Sequence, residues 1–285
     1  MPHAYEPNSP QIPDARTVPL PGAMLTFTSL GSGQPIVFVH GNIADLRIWD
    51  AQRGPAFKAY QQVAYSRRYH YPNAWTGNGS DYTEANNVQD LVNLLRELHL
   101  GRVHLVGHGQ GAQLAVEVAL GHPEFVRTLV LVEPEMAAAA AMEPDFGNFT
   151  AERAQLYQQM ETALRLEEAE KAGRLLYDWA SASTGAYDAL PPPLKGEVLD
   201  NASILGFFLS APPPPMPCPE LASLKVPTLV VTGERTNPFF SAVGDAVAHC
   251  IPNAVRETVP LASHVVQREN ADAFNAILVG FLTTH

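Results

Sequence analysis

The chain of 285 residues is poor in cysteine, in positive charge and in long apolar runs, and each shortage removes a class of protein. Its two cysteines, Cys218 and Cys250, fit no metal-ligand spacing. A disulfide-stapled miniature domain is excluded as well. One disulfide or two unrelated thiols remain, and two thiols are the expectation. Lys and Arg number 18 against 29 Asp and Glu, for a formal net charge of -11. Nucleic acid and anionic membrane surfaces call for a basic patch, so neither is an expected partner. No apolar run approaches the roughly 20 residues that span a bilayer. The start, Met1-Pro2-His3-Ala4-Tyr5-Glu6-Pro7, has neither the basic end nor the apolar stretch of a leader peptide. A cytoplasmic protein is expected, with secretion after loss of a leader as the alternative. No metal and no cofactor are expected, and the composition leaves oligomeric state open.

What is present suits one α/β domain, since 46% of residues are hydrophobic and the length allows a large core. Residues 1–21, rich in Pro and polar side chains, are predicted to form an extended arm. Strand signals follow at Leu25–Thr28, Pro35–Val39, Val63–Ser66, Val103–Val106, Thr128–Val132, Pro227–Thr232 and Val255–Val259. Val88, Leu91, Val92, Leu95 and Leu98 form one helical stripe, and further helices are predicted over 111–120 and 273–282. Alternating strands and helices predict a mostly parallel sheet flanked by helices. Residues 135–224 break that rhythm with helical stretches such as 151–176 and two proline runs, 191–193 and 212–215. They are expected to form a helical cap or lid, inserted into a core of residues 22–134 and 225–285.

Residues 107–112 read Gly-His-Gly-Gln-Gly-Ala directly after the strand Val103–Val106. This is the G-x-S-x-G pattern of a nucleophile elbow with glycine in place of the serine. Gly109 has no side chain, so it is neither nucleophile nor base. The run does not match the dinucleotide pattern G-x-G-x-x-G, and it follows a later strand rather than the first. His40-Gly41-Asn42 follows the strand ending at Val39, where the amide of Asn42 is positioned to stabilise an oxyanion with that of Gln110. His264 follows the last strand, where a catalytic imidazole belongs in the order nucleophile, acid, histidine. His108 is expected to pack rather than react. Two acids compete. Glu133 follows the strand ending at Val132. Glu234 follows the strand ending at Thr232, two residues before Thr236, where an Asp is common. Glu133 is favoured, with Glu234 as the alternative.

On His40-Gly41-Asn42 with Trp49 downstream, Gly107–Ala112 and Ala262-Ser263-His264, the chain resembles the α/β-hydrolase superfamily. The stretch Tyr65–Asn73 also looks like a subgroup of bacterial lidded hydrolases. The resemblance implies the α/β-hydrolase fold and ester, lactone or related acyl chemistry on a small hydrophobic molecule. With Gly109 the covalent route is closed, and three readings stand. The chain is a Ser-His-acid hydrolase inactivated at its nucleophile, an enzyme that uses His264 as a general base without one, or a ligand-binding protein.

Overall fold

The computed structural model describes residues 3–5, 12–144 and 146–285. Its frame is an eight-stranded sheet. In chain order the strands are β1 (Arg16–Leu20), β2 (Ala23–Leu30), β3 (Gln34–Val39), β4 (Tyr60–Tyr65), β5 (Val103–His108), β6 (Val126–Val132), β7 (Thr228–Gly233) and β8 (Val255–Val259). Across the sheet they lie in the order β8-β7-β6-β5-β3-β4-β2-β1. From β8 to β4 every pairing is parallel, while β2 and β1 add antiparallel at one edge. The expected mostly parallel α/β sheet is therefore present. The helices are α1 (Glu84–Glu97), α2 (Gln110–Gly121), α3 (Phe146–Arg165), α4 (Ala169–Ala180), α5 (Pro192–Asn201), α6 (Ile204–Ser210), α7 (Cys218–Leu221), α8 (Pro238–Cys250), α9 (Val266–Glu269) and α10 (Ala271–Thr283).

Helices cover both sheet faces, which is why the central strands are continuous apolar runs. Successive side chains point to opposite faces. Val37, Val39 and Leu105 pack with Leu91 of α1, Leu114 of α2 and Val243 of α8. Ile36, Phe38 and Val106 pack with Trp49 and with Phe274 and Leu278 of α10. β3 sits between β4 and β5, so the chain leaves it on one side and returns on the other. Such a switch point opens a crevice at the carboxyl ends of the strands. Val39 is level with Gly107, which brings the turns after β3 and β5 together.

Three features differ from the sequence expectations. The predicted arm over 1–21 includes a strand of the main sheet, since Arg16–Leu20 pairs with β2; within it, residues 1, 2 and 6–11 lie outside the described residues. The stretch 151–176 is two helices, because Glu167 takes φ 61° and Glu168 N–H bonds Ala163 O, a left-handed stop that apolar spacing does not reveal. The cysteines are not unrelated thiols. Cys218 at the start of α7 and Cys250 at the end of α8 form a disulfide with their Cα atoms 5.1 Å apart. The intervening strand β7 brings the chain back on itself, so proximity comes from the fold and not from spacing. Helices α3, α4 and α6 share a small core of their own around Met160, Ala172 and Leu205. Among the described residues, no helix is long and apolar enough to cross a membrane.

Candidate active site

The elbow is a set of steric requirements. A Cβ on Gly107 would lie 2.2 Å from Gly111 O, and one on Gly111 would lie 2.5 Å from Val39 O. Both outer glycines are therefore demanded by the close approach of α2 to the sheet. Gly109 is different. A Cβ there meets nothing nearer than Gly41 Cα at 3.7 Å and His264 Nε2 at 3.9 Å. Its backbone, φ 56° and ψ −122°, is the strained conformation of a strand-to-helix turn. A side-chain-bearing residue adopts it at roughly 1–3 kcal/mol. Space admits a side chain at 109, and the sequence supplies none.

His264 stands beside that space. Its Nδ1 lies 3.1 Å from Glu133 Oε2. Glu133 is fully buried and follows β6 with φ 50°, which turns its carboxyl along the sheet edge. It also accepts from Gly233 N–H at 2.6 Å and from Thr236 Oγ1 at 2.5 Å. Thr236, where an acid is common, thus serves the acid of the neighbouring strand. Glu234 does not reach the imidazole and instead accepts from Leu261 N–H at 2.8 Å. Burial pushes Glu133 up to about 8, against the pull of its Thr236 and Gly233 donors. Burial pushes His264 down to about 4, opposed by the charge of Glu269. The ring is flanked by Phe240 at 4.2 Å and His108 at 4.7 Å between centroids. His108 packs as expected, and its Nε2 lies 2.9 Å from His264 O.

Asn42 and Gln110 line the same cavity as Gly109 and His264. The amide of Gln110 opens α2, where a first-turn N–H has no helical partner. The amide of Asn42 belongs to the peptide whose carbonyl is Gly41 O. That carbonyl receives His40 Nδ1–H at 2.8 Å and Arg67 Nη2–H at 2.9 Å. A trans peptide points its N–H opposite its carbonyl, so two donors behind Gly41 O fix the direction of Asn42 N–H. Arg67 Nη1 also donates to Gln110 Oε1 at 3.1 Å, and Gln110 Nε2 donates to Glu84 Oε2 at 3.0 Å. One buried guanidinium therefore ties together both turns that carry the amides. Sequence reasoning assigned Arg67 and Glu84 no part here, because the β4 turn and the start of α1 meet α2 only in three dimensions.

The cavity holds about 220 Å³. Its walls are largely apolar, with Ile43 and Ile48 on the sheet side and Leu176, Leu190, Leu194 and Val198 from the α4–α5 region. At its rim Arg268 pairs with Glu197 at 2.8 Å. Burial raises Glu197 to about 7. An imidazole oriented by a carboxyl, two amides at a turn and an apolar pocket together suit a carbonyl carbon developing negative charge on oxygen. Among the described residues no cluster of His, Cys, Asp or Glu suits a metal ion.

Comparison with known proteins agrees with this frame. Residues 36–277 match the model of the alpha/beta hydrolase family. A 2-hydroxy-6-oxononadienedioate/2-hydroxy-6-oxononatrienedioate hydrolase of Burkholderia vietnamiensis is 29% identical over 212 residues, 73% of this chain and 70% of the relative. A putative non-heme bromoperoxidase, BpoC of Mycobacterium tuberculosis, is 25% identical over 91% of this chain and 98% of its own. The crystal structure of the enol-lactonase from Burkholderia xenovorans LB400 superposes with a TM-score of 0.74 at 21% identity, covering 94% of this chain and 100% of the other. With the sheet order, the elbow after β5 and a match running from β3 into α10, the chain belongs to the alpha/beta hydrolase family.

Proposed function

We propose that this site is built for hydrolysis of a carboxylic ester or lactone of a small apolar molecule, and that Gly109 closes the covalent route through it. The family alone does not decide the reaction, since one relative is named a hydrolase and another a bromoperoxidase. The residues favour acyl chemistry. His264, held by Glu133, acts on a nucleophile on its Nε2 side, and Asn42 and Gln110 amides receive the oxyanion. The helical segment from α3 to α6 serves as the cap that closes the apolar cavity.

The observation that carries this reading is the room at residue 109. The outer glycines are sterically compelled, whereas a Cβ on the central one makes only ordinary van der Waals contacts, with Gly41 Cα at 3.7 Å and His264 Nε2 at 3.9 Å. That is the place of a hydroxyl nucleophile, and filling it restores the missing function. The test is Gly109→Ser assayed beside the parent chain on a panel of p-nitrophenyl esters and aryl lactones. Loss of a triad nucleophile costs on the order of a million-fold. A gain of a thousand-fold or more on at least one member is expected. A variant that folds and gains nothing on any of them overturns the proposal.

A further inference from the structure

The machinery around residue 109 does not depend on residue 109. Glu133 is held by Gly233 and Thr236, and it holds His264 Nδ1. The Gly41–Asn42 peptide is held by His40 and Arg67. None of these bonds involves the elbow residue's side chain. A glycine therefore leaves base and amide donors in place and opens a small space between them. A water oxygen at the usual hydrogen-bond distance of about 2.8 Å from His264 Nε2 stands on the side where, chain neighbours apart, a Cβ on Gly109 would have Gly41 Cα and His264 Nε2 within 4 Å.

We infer that the chain with Gly109 is itself a hydrolase that works by direct attack of water on activated esters and enol or aryl lactones, with His264 as general base. This rests on the acyl-hydrolysis reading of the site. In the first half, His264 Nε2 takes one proton of the water while its oxygen bonds the carbonyl carbon, and the carbonyl π pair moves onto oxygen at the Asn42 and Gln110 amides. In the second half that pair re-forms the carbonyl, the bond to the leaving oxygen breaks, and the imidazolium returns its proton to the leaving group. The products are the free acid and the alcohol, and His264 is regenerated neutral. No oxidant, reductant or covalent enzyme species is needed.

The same geometry sets the substrate class. Water is a weaker nucleophile than a held alkoxide, and a single imidazole must serve both halves. The tetrahedral intermediate breaks down most readily where the departing oxygen is a weak base, which favours enol and phenol leaving groups, protonated by the imidazolium as they depart, over simple alcohols. The cavity wall of Ile43, Ile48, Leu176, Leu194 and Val198 favours an uncharged acyl portion.

The experiment follows p-nitrophenyl butyrate and dihydrocoumarin hydrolysis by the parent chain, His264→Ala, His264→Gln and Gly109→Ser, each checked for folding by thermal unfolding. Positioned general bases contribute typically 10²–10⁴-fold, and sites stripped of their nucleophile keep roughly 10³–10⁴ over water. The parent is expected to exceed buffer by about a thousand-fold, to run linearly from the first turnover, and to show no acyl adduct by intact mass. At least one folded His264 variant is expected to lose about a hundred-fold. A parent rate equal to that of the folded His264 variants overturns the inference, as does an acyl adduct on the parent. An active Gly109→Ser variant beside an inert parent defeats this inference alone, whereas inertness of both defeats the acyl-hydrolysis reading as well.

Discussion

At the scale of single residues, Gly109 and His264 divide the chemistry of the site. The glycine supplies backbone geometry and no atom that reacts. The imidazole supplies a group able to move a proton, its Nε2 3.9 Å from where a Cβ on that glycine would stand. Burial keeps it neutral, with its titration lowered to about 4, and the groups facing it are Glu133, Glu269 and His108. His108 is lowered by burial to about 3, so it adds no charge at neutral pH. Glu133 is raised to about 8. The sign of the pH dependence follows. A base works only when unprotonated, so activity falls away as the pH drops below about 4 and rises as His264 loses its proton through about 4. Ionisation of Glu133 then strengthens the base and raises the rate again through about 8. A pH–rate profile with two ascending limbs is expected, and a descending limb between pH 5 and 8 contradicts the assignment.

At the scale of elements, the turns after β3, β5 and β6 converge because the strand registers end level with one another. The sequence showed most of this. His40-Gly41-Asn42, Gly107–Gly111 and Glu133 were readable because each directly follows an apolar run, and His264 because it stands in the turn after the last strand. The choice between Glu133 and Glu234 depended on geometry, since both follow strands and only one turns its carboxyl towards the imidazole. Arg67 was out of reach for a different reason. Its two acceptors, Gly41 O and Gln110 Oε1, come from turns far apart in the chain. No local pattern marks a residue whose role is to join turns. Leaving buried acceptors without their donor destabilises by roughly 1–3 kcal/mol. Arg67→Met is therefore expected to lower unfolding free energy by about that amount in urea titration. Arg67→Lys keeps the charge without the fork that spans several acceptors, and it recovers only part of the loss. An Arg67→Met chain as stable as the parent contradicts the tie.

At the scale of the whole molecule, the fold was legible and the staple was not. The predicted strands recur with boundaries moved by a few residues, whereas the strand Arg16–Leu20 and the helix α8 (Pro238–Cys250) carried no prediction. The disulfide between Cys218 and Cys250 depends on how α7 returns to α8, which spacing does not encode. A crosslink of this kind stabilises by about 2–4 kcal/mol. The formal net charge of -11 surrounds a cavity whose walls are mostly apolar. On the proposed function, one missing hydroxyl separates this chain from a covalent acyl hydrolase. The most direct measurement is intact-mass analysis of the parent and of Gly109→Ser after exposure to diisopropyl fluorophosphate. One phosphoryl adduct per chain, mapped to position 109, is expected on the variant and none on the parent. A folded Gly109→Ser chain that remains unlabelled contradicts the account, because base, acid and amides would then fail to activate a hydroxyl placed in the space between them.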